Sequence, residues 1–362
     1  MSWGIVLAAL AALLAAATVL SFISVAHGMV RVFSFPRLQI LAVTLILLAV
    51  TLLLAEGGWL AMGTALCLIV VAIAQAVPIV QFTRLRKTQS MDHDGDPDGP
   101  DTLSILSFNI KQSNADYAGV RAVARQADAD LAVFMETDAR WVEELSPLRE
   151  TYPHVVACPL ENSYGMILFS RLPLDDVAVR ELVMEGIPSI TARVTLRDGQ
   201  PFRLFCVHPE PPVPTSDSVG RDAELVAVAK LVRDETLPSI VTGDLNDVAW
   251  SHTTRLFQRI SGLLDPRVGR GFYSTFDARY AFIRWPLDHL FHDARFRLIS
   301  IRRMDAAGSD HFPINFRLAL TPVDSAQSRP EGLDSDDRAE MRDIEQQGKR
   351  LDREPVGTDW EK

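Results

Sequence analysis

Charge is nearly missing from the first 82 residues: among them only Arg31, Arg37 and Glu56 are acidic or strongly basic. That scarcity excludes one soluble domain running the whole length of the 362-residue chain. Cysteine is also scarce. Cys67, Cys158 and Cys206 are odd in number and have no C-x-x-C spacing, which excludes a disulfide framework and a zinc knuckle and leaves them as small apolar residues. No repeat and no low-complexity array is present. A general basic stripe is missing too. The net charge is −10, and it is unevenly distributed. The apolar block and its flank carry Arg31, Arg37, Arg84, Arg86 and Lys87 against Glu56. Residues 92–101 carry five aspartates and no base, and the tail from Val323 has twelve acids and seven bases, so residues 102–322 are left at −4. A domain at −4 does not suit sequence-independent binding of long nucleic acid, although a bound cation and local arginines can reverse the sign at one site.

Long apolar runs are what the first block does have. Three of them, at about 4–26, 37–55 and 58–80, are each close to the ~20 residues that cross a bilayer core of ~30 Å. Arg31 to Arg37, with Pro36, separates the first pair, and Glu56-Gly57-Gly58 makes a turn between the second and third. Trp3 and Trp59 stand at run ends, where indole favours the membrane interface. No run has an ionisable residue at its centre, which excludes an ion pathway. The first run is too long, and lacks the basic leader, for a cleaved signal. Residues 1–87 are therefore expected to form a multi-pass block of three transmembrane helices in the cell membrane. All five bases fall on one side of such a block, which places the remainder of the chain in the cytoplasm.

Residues 88–101 (TQSMDHDGDPDGPD) read as a flexible acidic linker spanning roughly 20 Å. From residue 102 to 322 the pattern is that of a soluble α/β domain. Strands are expected at Leu103–Asn109, Leu131–Met135, Tyr164–Ser170, Ile190–Leu196, Phe202–Val207, Ser239–Thr242, Leu287–Phe291, Phe296–Met304 and Phe312–Leu318. Helices are expected around 116–127, 217–235 and 251–261. Strand follows strand from 164 to 208, so two stacked β-sheets flanked by helices fit better than a strictly alternating parallel fold. Residues 323–362 read as a charged, mostly disordered tail with a short helix near Arg338–Leu351.

Short polar words stand at the ends of these apolar runs. Asn109 and Glu136 each close one, and together they offer oxygens of the kind a hard cation such as Mg²⁺ takes; surface capping would also explain them. In Gly243-Asp244-Leu245-Asn246 the period of two puts Asp244 and Asn246 on one face. There a carboxylate can take a proton from water while an amide holds a phosphoryl oxygen; an Asx-capped turn is the alternative. In Gly308-Ser309-Asp310-His311 an aspartate beside an imidazole can orient it and favour its cation. His208 ends Phe202–Val207 and supplies a second imidazole. Asp288, in Leu287-Asp288-His289, suits a supporting role that holds an imidazole or a metal-bound water.

Taken in order, Ser107-Phe108-Asn109, Met135-Glu136-Thr137, Val207-His208-Pro209, Gly243–Asn246, Leu287–His289 and Gly308–His311 resemble the endonuclease/exonuclease/phosphatase superfamily (deoxyribonuclease I-like), in its membrane-anchored bacterial type. The segment from Tyr164-Gly165 to Ser170-Arg171-Leu172-Pro173 is similar to that family as well. The resemblance covers about residues 102–320. It implies a four-layer α/β sandwich and a metal-dependent phosphoric ester hydrolase, with Glu136 binding Mg²⁺ (Mn²⁺ as the alternative) and Asn109 assisting. It further implies that Asp244 positions or deprotonates water, that Asn246 holds the phosphate, and that His208, His311 and Tyr164 contact it. Asp310 would partner His311, and Asp288 would support the site. Two departures stand out: Met135 precedes Glu136 where many relatives have glutamine, and His208 lies in His-Pro-Glu-Pro-Pro. The expected substrate is a lipid or small phosphoester close to the bilayer. A metal-dependent nuclease shares every catalytic residue, and a non-catalytic membrane scaffold is the rival from another class.

Overall fold

The computed structural model describes residues 3–54, 57–324, 326 and 328–358; Glu56, expected in the turn between the second and third apolar runs, lies outside the described residues. Three helices, α1 (Trp3–Leu20), α3 (Arg37–Leu54) and α4 (Trp59–Val80), are long and apolar enough to cross a membrane. A short helix α2 (Gly28–Arg31) lies between the first two. The first helix ends six residues before its apolar run does, because residues 21–36 turn away to meet the globular part.

The globular part has the element order β1 (Thr102–Asn109), α5 (Tyr117–Ala127), β2 (Leu131–Met135), α6 (Ala139–Glu144), β3 (His154–Cys158), β4 (Met166–Ser170), β5 (Leu174–Glu181), β6 (Pro188–Thr195) and β7 (Pro201–Cys206). It continues with α7 (Val219–Asp234), β8 (Ser239–Asp244), α8 (His252–Ser261), β9 (Asp288–His292), β10 (Phe296–Arg303), β11 (Ile314–Leu320) and α9 (Ser335–Gly348). One sheet has the order β10-β11-β1-β2-β4-β3 and the other β5-β6-β7-β8-β9. Among the named strands of the described residues, β1 with β2 and β7 with β8 pair in parallel and the other pairs are antiparallel. Helices cover the outer faces, which makes a four-layer α/β sandwich.

Side-chain alternation divides the core. Leu103, Ile105, Leu131 and Val133 point between the sheets, where they meet Leu204, Cys206, Ile240 and Leu290. Leu106, Phe108, Ala132 and Phe134 point outward against Val120, Val123 and Trp141. Phe205, Val207, Val241 and Phe291 pack outward on α7 and α8. With both faces covered, β1, β2 and β8 are buried at every position; β2 (LAVFM) reads as an unbroken apolar run, while small Ser and Thr residues interrupt β1 and β8. β3 and β5 escape the sequence pattern for the opposite reason. They are edge strands, β3 only half-buried and β5 mostly exposed, so neither leaves the signal of a strand buried on both faces.

Two segments correct the sequence reading. Residues 88–101 do not hang free. Ser90 is buried and bridges Ala326, and Asp92 bridges Leu298. Asp92, Asp94 and Asp98 pair with Arg270, Arg297 and Arg317 of the domain. The aspartates that suggested a solvated linker have complementary partners, which composition alone does not reveal. Described residues of the tail also pack on the domain. In α9, Asp337, Met341, Ile344 and Gly348 fall on one stripe and face α7 and α8. Arg259 grips Asp337 with two hydrogen bonds of 2.7 and 2.8 Å, and Lys230 pairs with Glu345. Arg353 then joins Glu210 and Asp217.

The apolar block is fastened to the domain through residues 26–35. Gly28 N donates to Ser216 O at 2.9 Å, and Ser218 N to Ala26 O at 3.1 Å. A Cβ on Gly28 would fall 1.8 Å from Val213 O, so only glycine allows this approach. Trp250 Nε1 donates to Ser34 O at 2.7 Å. Arg31 Nη2 meets Asp222 Oδ2 at 2.8 Å, with both side chains buried. Loss of a partner from a buried ion pair costs roughly 3–5 kcal/mol when the remaining charge is stranded. Asp222 would still hold Arg221, so Arg31→Ala is expected to cost about 2 kcal/mol. The check is a lower midpoint for loss of near-UV circular dichroism on heating the full chain in detergent; an unchanged midpoint would contradict this fastening.

Candidate active site

The strand ends that carry the polar words meet at one lip of the sandwich. The inward face of each strand, continued past its last apolar residue, delivers a polar side chain: Asn109 after Ile105, His208 after Cys206, Asp244 after Ile240, and Asp288 ahead of Leu290. Asp244 and Asp288 are register partners on β8 and β9. Gly243 brings β8 close to the end of β7. It has φ of +143°, and a Cβ there would fall 1.9 Å from Val207 O. Without that approach His208 would stand off from Asp244.

Asn109 spans the gap between the sheets. Its Nδ2 donates to Glu136 Oε1 at 2.7 Å and to Asp244 Oδ2 at 3.0 Å, and its Oδ1 accepts from Lys111 N at 3.1 Å. Glu136 sits just past β2 with φ of +61°, a left-handed conformation unfavourable for glutamate and of the kind that concentrates at functional sites. Its other oxygen accepts from Gln112 N at 3.3 Å. Met135, the departure from the family pattern, accepts the Asp244 N–H at its Sδ, 3.1 Å away. The residue before the glutamate thus ties β2 to the facing sheet. Burial raises the carboxyl groups of Glu136 and Asp244, the latter to about 7.

His311 Nδ1 lies 2.8 Å from Asp288 Oδ2, and its Nε2 lies 3.5 Å from Asp244 Oδ2. Burial alone would lower its pKa, but the carboxylates of Asp288 and Asp244 outweigh it and raise His311 to about 10. The imidazole is therefore a cation at neutral pH. His208 Nε2 is 3.9 Å from the same oxygen of Asp244. Burial lowers His208 to about 3, and the neighbouring His311 charge adds to that, so His208 is neutral. The Tyr164 ring packs against His208 with centroids 5.5 Å apart.

Asn246 carries both readings of its motif. Its backbone N–H donates to Asp244 Oδ1 at 2.9 Å, which is an Asx turn, and its side chain lines the cleft. One amide hydrogen donates to Pro209 O at 2.9 Å; the amide has a second to offer. Asp310 is not the partner of His311. Its carboxylate lies 3.1 Å from Lys111 Nζ and 3.7 Å from Arg279 Nη2, because adjacent residues leaving a turn point apart and Asp288 on β9 already fills the place beside Nδ1. Tyr164 directs its hydroxyl to Val356 O in the tail, and burial raises its pKa. The tail reaches the cleft because Arg353 and Val356 N bind the buried Glu210.

The cleft encloses about 320 Å³. Ligand atoms of Asp244, Asp288 and His311 lie within 4.8 Å of one another, a group able to hold a metal ion. To ligate one, His311 would have to release its proton; the oxygens of Glu136 lie in the same cleft and are of the kind a hard cation takes. Two buried polar atoms, His208 Nδ1 and Asp288 Oδ1, have no hydrogen-bond partner among the described residues, as befits a site that awaits ligands. Lys111, Arg279, Arg221 and Glu210 were not singled out from sequence. Lys111, two residues past Asn109, had a positional signal; the other three depend on tertiary contacts.

Asp288→Asn removes the charge that faces His311 Nδ1. The titration of His311, followed by its imidazole NMR resonances, is expected to move down from about 10. An unmoved titration would mean that Asp288 does not hold the proton.

A family model described as the Endonuclease/Exonuclease/phosphatase family matches residues 106–311. No curated protein matches the chain. Among solved structures, humanized D. rerio TDP2 with 14 mutations is 17% identical, with a TM-score of 0.51, over 61% of this chain and 100% of that one. D. rerio TDP2 complexed with single strand DNA product is 17% identical, with a TM-score of 0.50, over 60% and 99%. The Bacteroides thetaiotaomicron VPI-5482 mannosyl-6-phosphatase Bt3783 is 19% identical, with a TM-score of 0.48, over 60% and 100%. The two TDP2 structures share the fold, and the family model spans more than half of the residues: the chain belongs to the endonuclease/exonuclease/phosphatase family.

Proposed function

We propose that this protein is a membrane-tethered, divalent-metal-dependent hydrolase of phosphoester bonds that acts on a lipid or small phosphoester. The observation that carries the reading is the convergence of Asn109, Glu136, Asp244, Asp288 and His311 at one lip through hydrogen bonds and the 3.5 Å ion pair of His311 with Asp244. A retained but idle scaffold has no need of raised carboxyls, a left-handed glutamate and unpartnered buried polar atoms in one cleft.

Glu136 and Asp244, with Asn109 beside them, would hold Mg²⁺ or Mn²⁺. When bound, the cation supplies charge neutralisation and Lewis-acid polarisation of the phosphoryl group. Asp244 orients the attacking water and takes its proton. His311, kept cationic by Asp288, faces the charge that develops on the phosphoryl oxygens. His208 offers a neutral imidazole on the opposite side of Asp244, and the free amide hydrogen of Asn246 is available to a phosphate oxygen. Lys111 neutralises Asp310, so that carboxylate does not repel the substrate.

The membrane tether rests on α1, α3 and α4. Arg84, Arg86 and Lys87 are exposed beyond the end of α4 on the side of the domain, and the bias of bases toward the inner face puts the domain in the cytoplasm. Arg31 and Arg37 add less to this than sequence suggests. Arg31 is bound to Asp222, while Arg37 donates to Gln75 and Ser21 O.

Asp244→Asn and His311→Ala are each expected to lower metal-dependent turnover about 10²–10⁴-fold on a panel of phospholipid, small phosphoesters and nucleic acid. Full turnover in either variant would overturn the assignment, and cleavage of nucleic acid alone would favour the nuclease. Acid opposes metal binding. A carboxyl raised from 3.8 to about 7 makes the metal-free fold more stable below the lower value, and that gain is lost as pH rises through the upper one. Cation affinity should therefore rise between pH 5 and about 7 and level off above, with proton release on binding. Calorimetry in buffers of different ionisation enthalpy checks it; pH-independent binding would contradict it.

A further inference from the structure

The cleft has two unlike walls. One presents Glu136, Asp244, His208 and His311; the other is built from Val32, Phe35, Pro211, Pro212, Phe276 and Leu287. The second wall offers hydrocarbon where a sugar or nucleoside would need hydrogen-bond partners, and its prolines lack even the backbone N–H. Val32 and Phe35 come from the segment between α2 and α3, so the membrane block itself forms part of the wall.

That wall continues into the bundle without interruption. Phe35, Leu38 and Leu41 pack in one apolar cluster with Ile79, Phe276, Trp285 and Leu287. Leu38 and Leu41 lie in the first turns of α3, and Ile79 in the last turn of α4. At the other end of the cluster the Phe276 ring stands 4.9 Å from the His311 ring. The loop that follows Phe276 is tied to both regions. Ala278 N donates to Asp310 O at 2.7 Å, and Gln39 of α3 donates from Nε2 to Phe282 O at 2.9 Å. Between those ties Tyr280, Phe282 and Ile283 are 53%, 88% and 48% exposed. A loop held at the end of a spanning helix and presenting these three side chains is suited to the membrane interface.

We propose that the cleft draws its substrate from the bilayer: a lipid phosphoester whose phosphate meets the carboxylate–imidazole wall and whose chain runs past Phe276, Val32 and Phe35 toward the start of α3, with Phe282 and Ile283 set in the interface. This rests on the hydrolase reading and narrows its substrate. In the reaction, the water oxygen bonds to phosphorus and the P–O bond to the leaving alcohol breaks. The water proton, taken by Asp244, ends on the leaving oxygen.

The test compares substrates that share a reacting centre and differ only in chain. Full-length protein in phosphatidylcholine nanodiscs is given hexadecyl p-nitrophenyl phosphate or methyl p-nitrophenyl phosphate, and the monoesters hexadecyl phosphate or methyl phosphate, with Mg²⁺ or Mn²⁺. The long-chain compound is expected to show at least a hundredfold higher kcat/KM in whichever class is cleaved. Val32→Ser is expected to lower that ratio at least tenfold. Phe282→Asp with Ile283→Asp should do the same while leaving the methyl compound cleaved as before, because these two residues lie outside the cleft. A ratio near one, or a ratio untouched by both variants, overturns the lipid substrate and leaves the hydrolase reading standing. No cleavage of any of the four overturns the hydrolase reading, and the lipid substrate with it.

Discussion

Negative charge gathered at one lip of the sandwich is the constraint on which the rest of the site depends. Glu136, Asp244 and Asp310 line a single cleft with Asp288 buried behind His311, and carboxylates taken out of water repel one another and resist ionisation. Each has a distinct relief. Asp310 has Lys111, Asp288 has His311, and Glu136 and Asp244 share the amide of Asn109. The first two reliefs are full charges. Glu136 also accepts from Gln112 N, and Asp244 accepts from Asn246 N and faces His311 across 3.5 Å; burial outweighs these contacts and raises both carboxyls.

The same charge arrangement separates the two imidazoles. His311, flanked by Asp288 and Asp244, keeps a proton; His208, buried against Tyr164 without a close carboxylate partner of its own, does not. Two histidines alike in sequence context thus become a fixed charge and a neutral group. The apolar helical block belongs to this system rather than hanging from it. Arg31 holds Asp222, Asp222 holds Arg221, and Arg221 Nη1 reaches Asn246 O at 3.3 Å. A buried chain of ion pairs and hydrogen bonds thereby links the loop after the first apolar helix to the turn that presents Asp244.

Much of this was legible in the sequence, for a physical reason. Strands buried on both faces leave largely apolar runs, and a large polar residue at the end of such a run has to emerge at the sandwich lip. Asn109, Glu136, His208, Asp244 and Asp288 could be read that way, and β1, β2 and β8 were found close to their true bounds. Edge strands β3 and β5 left no such trace. Adjacency misled in one place: Asp310 sits next to His311 in the chain, but the imidazole turns to Asp288, a partner 23 residues away. Composition misled in two others. Residues 88–101 and the tail look solvated, yet their charges pair with Arg270, Arg297, Arg317, Arg259 and Glu210 across the fold. Val32 and Phe35 carried no signal at all, because only the docked bundle brings them to the cleft.

The proposed hydrolase turns on a cation held between the two sheets. Anomalous diffraction from crystals of the full chain soaked in Mn²⁺ tests this most directly. One strong peak is expected within bonding distance of Glu136 and Asp244, with the Asn109 amide displaced from its bridge. A peak seated instead among Asp288, His311 and Asp310, or no peak in crystals of protein that turns over substrate with Mn²⁺, would contradict it.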